Sequence, residues 1–391
     1  MGCQAPKLIT YDFPKPVDTA DHPIQMQKKK TYQIGAITLD NEFDGARVNN
    51  FYQDDSNNYQ LVIEPENYPI NPSPWYAFRI ASSTLDTADI TIHYHHAKHR
   101  YAPKWSTDGL KWQLLDSNLV AMVNDSTVTL HLPLSETPLW ISAQELHNSA
   151  IVKSWCETMA NDINTTFITY GKSKLGRALF GLDIHQGETK DKPIIVIMSR
   201  QHPPEVTGYL AMQKFVETIL ADTPLSNDFR KKYHILVFPL MNPDGVDLGH
   251  WRHNAGGIDL NRDWAYYRQP ETRQMAQYVL NSAHENKTKV YLGLDFHSTY
   301  DDRYYTFDKS IKSDLYHFKD YWIDGIKNQI EGYEPKDLPG GLVQPISKNW
   351  FYLQFKAEAV TYEIGDTTPR SFIKEKAKIS ANEMMKLLIF R

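Results

Sequence analysis

Cysteine is nearly absent from this chain. Of 391 residues only Cys3 and Cys156 carry a thiol, which excludes a disulfide scaffold and any zinc site built from several thiolates. A bound metal would therefore be held by histidine and carboxylate. No apolar run reaches eighteen residues, so no membrane-spanning helix is expected, and no hydrophobic signal region stands at the start. A surplus of positive charge is also missing: 42 Lys+Arg against 47 Asp+Glu leave a net charge of −5. That is unlike the basic stripe of a nucleic-acid binder, so no nucleic-acid partner is expected.

What is present is the composition of a folded protein. At 41% hydrophobic and 23% charged, disorder is not expected over most of the length. The length exceeds what one hydrophobic core normally serves, so two domains are the prior. The opening Met1-Gly2-Cys3-Gln4 is followed by a polar, proline-containing stretch to about Lys30, of the kind that tethers a protein to a membrane. This start favours, narrowly, a lipid anchor at Cys3 in a bacterial cell envelope over an ordinary cytoplasmic beginning. N-myristoylation fits less well, because Pro6 stands where that motif wants Ser or Thr.

From about Tyr32 to Ser142 the pattern is all-β. Tyr76, Phe78 and Ile80 alternate with Ala77 and Arg79, and Val128, Leu130, Leu132 and Leu134 repeat the same period. Short strands between turn signals suggest a β-sandwich. After about Leu146 the character changes. Ile194–Met198, Ile235–Phe238, Val290–Leu294 and Ala359–Tyr362 are short continuous apolar runs, typical of strands buried on both faces. Helical spacing follows Glu205 and returns from about Phe372 to Phe390. The expected architecture is an N-terminal tail (1–30), a β-sandwich domain (31–146) and an α/β catalytic domain (147–391) on a mixed, mostly parallel sheet flanked by helices.

Polar residues just past the carboxyl ends of buried strands lie where open α/β folds place their ligands. Ser199-Arg200-Gln201-His202-Pro203-Pro204-Glu205 occupies such a place, between a strand and a helix. An imidazole and a carboxylate three residues apart can converge on one ion, with Glu205 in the first helical turn, where a carboxylate suits the helix dipole. His-x-x-Glu alone is common by chance. A third ligand, His297, ends another apolar run in Leu294-Asp295-Phe296-His297-Ser298. Two histidines and one glutamate leave a tetrahedral zinc one open position, as a catalytic site requires. Glu363 closes a further strand and supplies a carboxylate able to take a proton. Arg252, Asn261 and Arg262 fall in a glycine-rich loop beyond the strand at Ile235, and arginine forks bind carboxylates and oxyanions. His93, His95, His96 and His99 also cluster, but strand geometry turns His96 away from His93 and His95, and a solvated or packed β surface is the better reading.

The ordered set His-x-x-Glu, Asn-Pro-Asp-Gly, Trp-Arg, Asp-Leu-Asn-Arg-Asp-Trp, Asp-Phe-His-Ser and Glu-Ile-Gly-Asp resembles the zinc metallocarboxypeptidases typified by carboxypeptidase A. Asn242-Pro243-Asp244-Gly245-Val246 running to Asn261-Arg262 is similar to the cytosolic carboxypeptidase branch, as is a β-sandwich ahead of the catalytic domain. The resemblance implies one Zn²⁺ per chain on His202, Glu205 and His297. It implies that Arg252 polarises the scissile carbonyl, that Asn261 and Arg262 grip a terminal carboxylate, and that Glu363 is the general base and acid. Three departures stand out. Pro204 replaces the arginine before the glutamate ligand, Thr299 replaces a tyrosine after the last histidine, and the substrate-capping tyrosine has only Tyr333 as a weak candidate. Gln344 is the candidate for the specificity position. The expected activity is hydrolysis of a C-terminal peptide or isopeptide bond in a substrate with a free carboxylate. The rival readings are an envelope enzyme trimming peptidoglycan stem peptides and a non-catalytic binding protein.

Overall fold

The computed structural model describes residues 6–13, 23–55, 58–67, 73–84 and 86–390. Cys3, the expected anchor position, lies outside them. Among the described residues no helix is long and apolar enough to cross a membrane.

Between Thr31 and Ser142 the chain forms two sheets, one of six strands and one of five. Alternation does the work the sequence suggested. Phe78 and Ile80 from one sheet, and Ile90, Ile92, Val128, Leu130 and Leu132 from the other, are buried in a shared apolar cluster. His93 pairs with Gln60 and His95 with Glu64 on this region's surface. The one His/Cys/Asp/Glu group able to hold a metal among the described residues lies elsewhere.

The remainder is built on an eight-stranded mixed sheet. Its centre is four parallel strands in the order His234–Phe238, Ile194–Ser199, Val290–Thr299, Glu358–Gly365. Every residue of the first two is buried, which is why they read as continuous apolar runs rather than alternating ones. Antiparallel strands flank this centre: Thr165–Lys172 and Ala178–Ile184 on one side, Arg303–Phe307 on the other. Asp337–Gly340 forms the edge beside Arg303–Phe307. Helices Val206–Leu220 and Arg370–Ile389 join one apolar layer, and Pro270–Glu285 and Ser347–Phe355 contribute to the other. The four parallel strands point their carboxyl ends the same way, so the loops leaving them gather at one edge.

Candidate metal centre and cleft

Two of those strand ends meet through a glycine. Helix Val206–Leu220 begins against the Val290–Thr299 strand, and a Cβ on Gly208 would sit 2.3 Å from the His297 carbonyl oxygen. Only glycine permits that approach. Ser298 Oγ fastens the contact, accepting from Gly208 N at 2.9 Å and from Thr207 Oγ1 at 2.8 Å. Glu205 is thereby carried next to His297. It occupies the N-cap position, one residue before the helix, and not the first turn that the sequence suggested. Its side chain caps no backbone N–H and points to the histidines instead.

The carboxylate of Glu205 lies between two imidazoles, 2.8 Å from Nδ1 of His202 and 2.8 Å from Nδ1 of His297. All three residues are buried, and their ligand atoms lie within 4.8 Å of one another. The outer nitrogens are also held. His202 Nε2 is 3.0 Å from Asp259 Oδ1, and His297 Nε2 is 2.8 Å from Asp295 Oδ2. A carboxylate on Nε2 fixes the ring and its proton and leaves Nδ1 to bind a cation. Gln201 Nε2 donates to the same Asp295 oxygen at 2.6 Å, and Ser347 Oγ also donates there. Burial opposes charge on His297, but Asp295 and Glu205 outweigh it and push the imidazole well above its ordinary range. Burial likewise opposes ionisation of Glu205, and the two histidines hold its carboxyl far below the usual value. So strong a concentration of anionic oxygen around two imidazoles is what a divalent cation neutralises. The donor set of two nitrogens and a carboxylate fits zinc.

Glu363 stands beside His297 as its register partner on the next strand. Its Oε2 is buried without a hydrogen-bond partner. Burial pushes the carboxyl up to about 7, more than the pull of His297 lowers it. Arg252 reaches the site from the loop after the His234–Phe238 strand, and its Nε donates to Asp259 Oδ2 at 2.7 Å. Asn261 and Arg262 follow in the short 3-10 turn Leu260–Arg262. Asn261 Oδ1 accepts from Ser347 N at 2.9 Å. Arg262 Nη1 donates to the Asn261 carbonyl at 2.8 Å, and among the described residues its guanidinium has no carboxylate partner. Asp259 is taken by Arg252 and His202, and Asp263 by Arg268.

His202, Glu205 and His297, with Glu363, Arg252, Asn261 and Arg262, line one cleft of about 470 Å³. Gln344 is on its wall. Tyr333 is not: its hydroxyl lies 3.3 Å from the Tyr304 hydroxyl and accepts from Lys376 Nζ at 3.4 Å. The tyrosines at the cleft are Tyr101 and Tyr305. Sequence reasoning did not place Asp259 or Asp295 behind the histidines. For Asp295 a signal existed, since i and i+2 on a strand share a face. For Asp259 there was none. Asp366, three residues beyond Glu363, is engaged by Arg100 at 2.8 Å.

Residues 152–383 match the family model described as "Zinc carboxypeptidase". The chain belongs to the zinc carboxypeptidase family. Human cytosolic carboxypeptidase 2 is 22% identical over 298 residues, 67% of this chain and 32% of that protein. The chain spans a third or less of the length of the cytosolic carboxypeptidases it matches. A solved metallo-carboxypeptidase of Burkholderia cenocepacia superposes with a TM-score of 0.74 at 16% identity, covering 90% of this chain and 98% of its own. One from Pseudomonas aeruginosa, in complex with (2-guanidinoethylmercapto)succinic acid, gives 0.71 at 18% identity, covering 90% and 100%. At these identities the superpositions establish the shared fold, β region included. Family membership and the buried histidine–glutamate group together make this zinc carboxypeptidase a metal-dependent hydrolase.

Proposed function

We propose that this carboxypeptidase removes the C-terminal residue from a peptide or isopeptide substrate, and that His202, Glu205 and His297 hold its zinc. The observation that carries the reading is the convergence of Glu363, Arg252, Asn261 and Arg262 on the cleft that contains those three ligands. Bound there, zinc supplies Lewis acidity to a water and to the scissile carbonyl. Glu363 accepts the proton of the attacking water and passes it to the leaving amine. A carboxylate lining the cleft, with a buried oxygen that has no hydrogen-bond partner among the described residues, is placed for both transfers. Arg252, fixed by Asp259, places its guanidinium where negative charge develops on the carbonyl oxygen. Arg262, its fork free of any protein carboxylate among the described residues, receives the substrate's terminal carboxylate together with the Asn261 amide.

The substrate's end provides the test. A hydrogen bond to a charged partner contributes about 1.5–3 kcal/mol, or about one to two decades in kcat/KM. Amidating a peptide's C-terminus is expected to cost that much with the wild type. Arg262→Ala is expected to cost the same on the free acid, and the two together little more than either, because both remove one interaction. Hydrolysis rates for one peptide, as acid and as amide, by both enzymes decide it. Equal rates on acid and amide by the wild type would contradict the exopeptidase reading and leave only a zinc hydrolase. No turnover of any peptide by zinc-loaded protein would leave only a binding protein.

A further inference from the structure

The loop that carries Arg252 is held by the β region. Trp251, Arg252 and His253 present three consecutive backbone N–H groups to one side chain, the carboxylate of Glu66. Oε1 accepts from Arg252 N at 2.8 Å and from His253 N at 2.9 Å, and Oε2 accepts from Trp251 N at 3.2 Å. Glu66 follows the Asn58–Ile63 strand and is fully buried. Its neighbours act on the same loop. Asn67 Oδ1 engages His253 Nδ1, and Tyr101 OH accepts from Trp251 Nε1 at 2.8 Å. Successive N–H groups around one anion form a rigid nest, and its rigidity depends on the charge at its centre. Burial opposes that charge, yet His250 and His253, the His253 N–H and Arg47 hold the Glu66 carboxyl down at about 2.

The nest fixes the backbone at Arg252, and Asp259 fixes the far end of its side chain. Asp259 in turn holds His202. A relay of contacts thus runs from Glu66 through Arg252 and Asp259 to the metal centre. We infer that Glu66 is a positioning residue for hydrolysis, contributed by the β region, which sets the Arg252 guanidinium for the transition state. The inference rests on the role of Arg252 proposed above. It makes residues 31–146 a working part of the catalytic centre.

The test is a double-mutant cycle on the zinc-loaded full chain, with Glu66→Gln, Arg252→Ala and both. Glutamine keeps the size of Glu66 but offers one acceptor oxygen in place of two and no charge. A displaced catalytic group costs up to about 10²-fold in rate. Glu66→Gln is therefore expected to lower kcat by about tenfold or more, with KM and zinc content nearly unchanged. In the Arg252→Ala background the same change is expected to cost less than about twofold, since residues acting as a unit are not additive. Equal fold-losses in both backgrounds, or an unchanged kcat for Glu66→Gln, would overturn the inference. Full activity of Arg252→Ala would instead overturn the role of Arg252 itself. Should Glu66→Gln fold poorly, Glu66→Asp serves the same cycle, because its shortened carboxylate cannot reach all three N–H groups; equal losses in both backgrounds would again overturn the inference.

Discussion

Glu363→Gln is expected to lower kcat by ~10²–10⁴-fold while zinc content stays the same, because it removes a proton-transfer group and no metal ligand. Glutamine has the shape of glutamate but cannot accept a proton from water. The structure also separates this loss from damage to the fold. Glu363 Oε2 is buried without a partner, so the substitution breaks no hydrogen bond there. Burial raises the folded-state carboxyl to about 7, above its unfolded value, so in the metal-free protein the ionised form weighs against folding. That cost grows as pH rises from the unfolded value towards the folded one. Metal-free Glu363→Gln is therefore expected to melt no lower than metal-free wild type at neutral pH. Steady-state kinetics, metal analysis and a thermal melt on one preparation check all three parts. Normal turnover would show that another group is the base. Asp366 and Asp295 are poorly placed to serve, the first being paired with Arg100 and the second with His297.

His297→Ala is expected to abolish zinc retention and, with it, activity. In the proposed site the histidine is one of three ligands, and its removal takes an imidazole from two buried carboxylates that face it, leaving Asp295 to Gln201 and Ser347 and Glu205 to His202. Breaking a buried ion pair from one side typically costs about 3–5 kcal/mol. The metal-free variant is thus expected to be less stable than metal-free wild type. His202→Ala is expected to lose the metal for the same reason, leaving Asp259 with Arg252 as its remaining partner. Zinc per chain after dialysis against a chelator, set beside the melting temperature, reads both effects. Full zinc occupancy in either variant would remove that histidine from the ligand set.

The parts of this site that were legible in the sequence are those made by single segments. His202 and Glu205 follow one apolar run, His297 ends a second and Glu363 a third, and strand ends of a parallel sheet converge by rule. The central strands were legible because burial on both faces leaves nothing but apolar residues in them. What stayed hidden depends on contacts between distant segments. Asp259 meets His202 only because the Leu260–Arg262 turn folds back onto the metal loop. Glu66 reaches Arg252 from 186 positions away, and no local pattern encodes that. Tyr333, the capping candidate, packs against Tyr304 outside the cleft lining, a contact between segments 29 positions apart that no local pattern encodes. The Asp337–Gly340 edge strand went unread because it is short, has no buried residue and contains Pro339, the composition of an edge rather than a core strand.

The central claim is that a zinc ion sits on Nδ1 of two histidines whose Nε2 atoms are already taken by carboxylates. Diffraction data collected on either side of the zinc absorption edge, from crystals of zinc-loaded protein, test it most directly. The account predicts one anomalous peak per chain, bonded to Nδ1 of His202, Nδ1 of His297 and the carboxylate of Glu205, with Asp259 and Asp295 still on the outer nitrogens. A peak at any other residues, or no peak within the cleft, would contradict it.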